Sequence, residues 1–234
     1  MSFRRFIPYL AAMMSIMIMF ACGCAIAENL LENTDLVHIG SDGLPADWYT
    51  DAYILEKGYS EFSVSEGDPE HPLALFIQNY GENDARFVQT VEVEPDTLYC
   101  LSGYVRAENI KGGHGANLSI EGIYAFSDEY YDTDGEWEYI EYYGETGPEQ
   151  DTVNIFARLG GYSGVSTGKA WFAGVSLTKA ERVPGDGIAD LWYRTETYPE
   201  DPDEELTEEE PAQRAGTRKW LFVISAVYTV LTLY

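Results

Sequence analysis

Tyr104 and Arg106 stand two residues apart in the run TLYCLSGYVRA, so an extended chain places a phenol and a guanidinium on the same side. Glu121, in NLSIEGIYAFS, and Arg158, in TVNIFARLGGY, fall on the more polar parity of their own alternating runs. An aromatic plane beside planar, bidentate polar groups is a set suited to a sugar. The flat ring meets the C–H face of the saccharide, and the forks meet neighbouring hydroxyls. Arg86, in ENDARFVQ, and Tyr162, in a glycine-rich loop, are the candidates for the rim; Arg86 either donates to a ligand hydroxyl or clamps Asp84. Arg106, Glu121 and Arg158 form such a surface if their strands share one sheet face. The competing reading is a charge network on a solvated sheet.

Other chemistry is poorly represented. Forty carboxylates in 234 residues make close Asp/Glu pairs unavoidable, so spacing nominates no glycosidase acid and nucleophile. His38, His71 and His114 are far apart, with neither an H-E-x-x-H run nor cysteine partners, which argues against a zinc site. Ser166 and Lys169 match S-x-x-K by chance within a glycine loop. Asp132, Thr133, Asp134 and Gly135 read as a turn ahead of Trp137, because a calcium loop needs further spaced acids and a terminal glutamate. Trp48, Trp137 and Trp171 lie beside apolar strand residues and are expected in the core. Tyr130, Tyr131, Tyr142, Tyr143 and Tyr162 lie at or near loops and are candidates for a ligand platform.

The elements that must position these groups are strands. Short β-branched and aromatic runs are divided by Gly, Asp, Asn and Pro, and no stretch of 28–179 sustains a 3.6-residue period. Nine strands are expected, at 36–39, 59–64, 73–79, 86–93, 97–107, 116–126, 138–143, 152–159 and 169–177. The class is all-β, a two-sheet antiparallel β-sandwich. In the 97–107 strand Tyr99, Leu101, Gly103 and Val105 face the core, leaving Cys100, Ser102, Tyr104 and Arg106 on the other face. The lone Cys100 is read as a small buried hydrophobe.

Attachments flank the domain. Residues 1–27 carry Arg4 and Arg5, an apolar run and Ala25-Ile26-Ala27, the pattern of a cleaved signal peptide. A lipidated Cys22 or Cys24 is the alternative. The domain is placed at 28–180, followed by an acidic, proline-rich linker over 181–217 that has eight acids within 200–210. Leu191, Trp192 and Tyr193 are its apolar cluster, read as an unbound motif, with docking back on the domain as the alternative. Residues 218–234 resemble the start of a membrane helix. The apolar run from Trp220 spans about 22 Å, against roughly 30 Å of hydrocarbon core. Export without disulfides points to a membrane-anchored protein on a Gram-positive cell surface. A formal charge of −26 repels nucleic-acid phosphates and anionic lipid head groups, so nucleic acid is excluded as a partner.

The segments NLLENTDLVHIG, GLPADWY, FVQTVEVEPDTLYCLSGYVRA, DGEWEYIEYYGET and GKAWFAGVSL follow one another in the order seen in family 4/9-type carbohydrate-binding modules. The stretch 29–178 resembles that CenC-like superfamily. The resemblance implies a jelly-roll sandwich whose concave face or end loops bind poly- or oligosaccharides without catalysis, in modules often joined to glycoside hydrolases or cell-surface proteins. Tyr104, Arg106, Glu121 and Arg158 are then the sheet contacts, with Arg86 or Tyr162 at the rim. Family members hold a structural calcium on acids near the first and last strands. Here Val37, Ala173 and Gly174 stand at such positions, so that site is expected to be absent or degraded, leaving no cofactor. Two other readings remain: a structural or protein-interaction ectodomain that kept the fold, and the front end of a larger membrane protein or glycoside-active enzyme.

Overall fold

The computed structural model describes residues 28–185 and 187–194; the expected signal peptide, the acidic run at 200–210 and the 218–234 segment lie outside them. Ten strands follow in order: β1 (Tyr49–Ala52), β2 (Ser60–Glu66), β3 (Leu73–Asn83), β4 (Ala85–Glu92), β5 (Leu98–Gly112), β6 (Ala116–Ile120), β7 (Glu138–Glu145), β8 (Thr152–Leu159), β9 (Ser166–Lys179) and β10 (Asp190–Leu191). They form a four-stranded sheet, β1-β4-β8-β6, and a six-stranded sheet, β10-β7-β5-β9-β3-β2. Every pairing is antiparallel except β10 with β7. Among the described residues no helix is long and apolar enough to cross a membrane.

The alternation read in the sequence decides which side of each strand is dry. Phe87 and Val91 of β4, Leu118 and Ile120 of β6, and Ile155 and Leu159 of β8 pack against Leu75 and Ile77 of β3, Leu101 and Val105 of β5, and Phe172 of β9. Phe62 meets Phe87 edge-on across the layers, with ring centroids 5.4 Å apart. Each such side chain contributes about 1.5–3 kcal/mol on burial, so one face-to-face core holds the sandwich without a disulfide.

Two bulges reset the alternation. Between Ser102 and Tyr104, β9 carries one more residue than β5, and Gly174 takes a left-handed φ of 56° there. The parity of β9 therefore switches: Ala170 and Phe172 face the core before the bulge, Val175 and Leu177 after it. A Cβ at Gly174 would stand 2.6 Å from the His71 ring, so the same glycine lets that ring lie against the bulge. On β5, Asn109 with φ 53° makes the second bulge, after which Ile110 continues the core in place of residue 109.

Three expectations are corrected. The 36–39 strand does not form: Leu36 closes a turn on Asn33 O with φ 58°, the Asn33 amide binds the backbone of His38 and Ala46, and only Ile39 makes a bridge, to Pro45. In its place the edge strand β1 is too short for its alternation to stand out. The sixth strand stops at Ile120, just before Gly122 takes φ 78°, and the chain returns to it through isolated bridges, Ser119–Phe126 and Ala116–Tyr130. The packed unit also runs past Ala180. Trp192 is 1% exposed, stacked at 6.4 Å on Tyr99 and 5.5 Å from Tyr142, and its backbone N–H donates to Glu145 O at 2.9 Å. The apolar motif read as unbound is thus a docked strand end. Its indole lies directly over Gly144, where a Cβ would collide with it.

Candidate ligand-binding face

The outer face of the six-stranded sheet is built from the non-core parity of β5, β9, β3 and β7. Register sets its rows: Arg106 lies opposite Trp171, which lies opposite Phe76, while Tyr104 lies between Ala173 and Tyr139. Ala74, Ala173 and Trp171 form a buried base on which Phe76, Tyr104 and Trp137 rest half-exposed. The rings form a strip of two groups sharing this base. Phe76 and Trp171 are 4.9 Å apart, Tyr104 and Tyr139 5.2 Å, and His71 and Tyr104 5.3 Å. Tyr139 is 51% exposed.

Arg106 lies over this strip, its guanidinium carbon 4.2 Å from the Trp171 ring and 5.2 Å from the Trp137 ring. That cover explains why Trp171 is only 8% exposed although it points away from the core. Further along, Glu141 accepts the Tyr139 and Tyr143 hydroxyls at 3.1 and 3.2 Å. Burial pushes the Tyr139 phenol up, and the Glu141 carboxylate adds to it; Tyr143 moves the same way, chiefly through burial. Both phenols therefore stay protonated donors at neutral pH. Asp68 accepts the His71 ring at 2.9 Å. Burial raises its pKa, but hydrogen bonds from the His71 ring and from the His71 and Glu70 backbones outweigh this and hold the carboxyl below its usual range.

The other nominated residues belong to the opposite layer. Arg86 is on β4, Arg158 on β8, and Glu121 follows β6, so they stand on the outer face of the four-stranded sheet. Arg106 therefore cannot meet Glu121 or Arg158, and the shared surface expected for them is corrected. Arg158 is also 2% exposed, its Nε donating to Asp84 Oδ1 at 2.6 Å, with the Tyr162 ring 4.3 Å above its guanidinium carbon. Arg86 clamps Asp84 at 3.1 Å and also pairs with Asp51. Both guanidiniums are committed internally, which removes them as ligand donors. Glu121 accepts from Asn154 Nδ2 at 2.5 Å beside a polar pocket of about 280 Å³. Tyr162, besides covering Arg158, accepts the Gly122 N–H at 3.2 Å and lines a pocket of about 370 Å³ with Tyr53, Asp84 and Val165.

The structure also reassigns the aromatics. Trp48 joins the core as expected, but Trp137 and Trp171 lie on the outer face. Tyr142, nominated for the platform, is buried in the core. Trp137, Tyr139, Glu141 and Tyr143 share one parity of EWEYIEYYGE, against Ile140 and Tyr142, so this side of β7 was open to the same reasoning applied to β5. Phe76 and Trp171 carried no such signal, since each adjoins apolar residues on both sides.

The 4/9-type resemblance would place calcium ligands at Val37, Ala173 and Gly174. Val37 supplies no oxygen ligand from its side chain, Ala173 is buried, and the His71 ring occupies the space beside Gly174. At the domain's N-terminal end, amides make the links: Gln89 Oε1 accepts the Glu32 N–H at 2.7 Å, and Asn29 Oδ1 accepts the Leu177 N–H at 3.0 Å. Millimolar calcium is therefore expected to shift the melting temperature by less than about 2 °C, under 1 kcal/mol for a domain of this size. A rise of several degrees at micromolar calcium would contradict this.

No family model matches the chain, and no curated protein does. Solved structures do. The chain is similar to the enzymatically active domain of a tailspike protein of bacteriophage CBA120 (12% identity, TM-score 0.44), over 65% of this chain and 21% of that one. It therefore spans about a fifth of that structure's length. It is similar over 66% of its length to the whole of a family 61 carbohydrate-binding module in complex with β-1,4-galactotriose (16% identity, TM-score 0.45). A sugar-binding protein assignment from Bacteroides thetaiotaomicron is matched over 65% of this chain and 100% of that one (15% identity, TM-score 0.47). Modules of families 4, 22 and 11 match as well, so the likeness singles out no one family, the 4/9 type included.

Proposed function

We propose that the chain binds saccharides without catalysis, through the outer face of the six-stranded sheet. The observation that carries this is the aromatic strip itself. Phe76, Tyr104, Trp137 and Tyr139 present ring surface on a sheet face with hydrogen-bonding groups at Arg106, Glu141 and Ser102. A solvated sheet face ordinarily carries short polar side chains, and a run of rings there is the flat, apolar surface that a sugar's C–H face needs. Among the described residues no group of three or more His, Cys, Asp or Glu side chains could hold a metal ion, and the Glu141 carboxylate beside the strip is engaged by two phenols. Such an open site is expected to bind with Kd about 0.1–1 mM, or roughly −4 to −5.5 kcal/mol.

Affinity electrophoresis of the full chain through a panel of polysaccharides tests this. Retention on at least one glycan is expected, and Tyr139→Ala should weaken it roughly tenfold, about 1.4 kcal/mol, without changing the melting temperature. Tyr162→Phe should leave it unchanged. No retention on any glycan, or equal loss in both variants, would contradict the assignment.

The cellular setting belongs to the same proposal. The leader-like residues 1–27 and the apolar segment 218–234 support an exported domain tethered to the membrane and displayed on the cell surface. Protease shaving of intact cells would release the domain if this is right and leave it protected otherwise.

A further inference from the structure

We propose that the ligand of this face is a largely neutral glycan bearing isolated carboxylates, that is, uronic acid residues, and that Arg106 binds the carboxylate. The proposal rests on the saccharide-binding reading and specifies its substrate class.

Three carboxylates beside the strip are engaged. Glu108 on the same face of β5 is paired with Lys169 at 2.8 Å, and Asp68 with His71 at 2.9 Å. Glu141 receives two phenolic hydroxyls. It also sits opposite Ser102, four residues along β5 from Arg106. That is about 13 Å of strand, beyond the roughly 8 Å Debye length at physiological ionic strength. Arg86, Arg158, Lys169 and Lys179 each have a carboxylate. Arg106 has none among the described residues and donates no side-chain hydrogen bond to any of them. Lys57, Lys111, Arg182 and Arg194 also lack a carboxylate among the described residues, but Arg106 alone of these is held over two indoles on the aromatic strip.

Its setting prepares it for an anion. The two indoles beneath it hold the group in place and remove water from one face, while the N–H donors around its edge stay available. A planar fork held this way loses little freedom when it meets a carboxylate, whose two oxygens match two of its donors. With both partners ionised, the fork adds a Coulomb attraction that a pair of sugar hydroxyls cannot offer the guanidinium. The net charge of −26 limits the ligand's own charge, because a dense polyanion would be repelled as a whole. A single carboxylate on a neutral backbone escapes most of that repulsion through screening and still meets Arg106 at contact. The rings at Tyr104, Tyr139 and Phe76 then serve the neutral sugars on either side.

The test uses the full chain and matched probes: glucuronoxylan and other uronate-bearing glycans, each beside the same glycan after reduction of its carboxyls to primary alcohols. Affinity electrophoresis is expected to show binding to at least one native glycan about tenfold tighter than to its reduced partner. The gap should close in 0.5 M NaCl and disappear in Arg106→Gln. Equal binding of native and reduced forms by the wild type would overturn the carboxylate assignment while leaving saccharide binding intact, and this comparison needs no variant to fold. A gap that persists in a folded Arg106→Gln protein would overturn the role of Arg106. Tighter retention on a sulfated neutral glycan would overturn the choice of carboxylate. No retention on any probe would overturn both this inference and the reading beneath it.

Discussion

Replacing Asp84 by alanine is expected to destabilise the domain by about 3–5 kcal/mol, the cost of leaving a buried partner charge uncompensated. One buried carboxylate serves two guanidiniums from neighbouring strands, Arg158 of β8 through Nε at 2.6 Å and Arg86 of β4 through Nη1 at 3.1 Å. Among the described residues Arg158 has no other carboxylate, and the Tyr162 and Phe156 rings lie 4.3 and 5.6 Å from its guanidinium carbon. The cluster has no spare acceptor either, since Arg86 Nε is already buried without a partner. At about 2–4 °C per kcal/mol for a domain of this size, the melting temperature should fall by roughly 6–20 °C. Asp51→Ala is the contrast. Its carboxylate, 41% exposed, also binds Arg86, but solvent screens that pair, and the cost should be about 1 kcal/mol or less. Urea denaturation of both variants checks the pair of expectations. Equal, small losses would show that Asp84 does not organise this face.

The second large effect falls on Trp192. Truncation to alanine removes an indole that is 1% exposed and packed between Tyr99 and Tyr142, and buried Trp→Ala changes cost about 3–5 kcal/mol. The segment is also held by backbone, through Trp192 N–H to Glu145 O at 2.9 Å and Gln150 Nε2 to Trp192 O at 3.1 Å. A chain ending at Ala180 should therefore be about as unstable as Trp192→Ala, and Gly144→Ala should approach the same loss by displacing the indole. Thermal melts of the three variants decide this. If the chain ending at Ala180 melts with the full chain, the domain ends there and the β10 segment is only laid against it.

These two sites mark where a sequence reading succeeds and where it stops. Period-two alternation located most strands and told the dry side of β5 from the wet one, which is why Tyr104 and Arg106 were found together. Alternation says nothing about which sheet a strand joins. The outer faces of the two layers carry the same mixture of arginine, tyrosine and acid, so Arg106 and Arg158 looked equivalent although the strand order puts them on opposite sides of the molecule. Nor does a one-residue pattern reveal pairing at a distance: Arg158 is spoken for by Asp84, 74 positions earlier. The bulge at Gly174 reverses parity within β9, which hid Trp171 among core residues. The docking of Trp192 was the less favoured reading for another reason. The residue lies in a segment whose composition is that of a linker, and its binding site on Gly144, Tyr99 and Tyr142 is assembled only when β5 and β7 pair.

The central claim is that ligand sits on the six-stranded face. Recording amide, indole and guanidinium resonances of the 15N-labelled full chain while titrating a retained oligosaccharide tests it most directly. The expected result is that Trp137 Nε1, Arg106 Nε and the backbone of Tyr104 and Tyr139 shift together along one saturating curve. Shifts confined to Tyr53, Tyr162 and Ser163 around the loop pocket, with Trp137 and Arg106 unmoved, would contradict it.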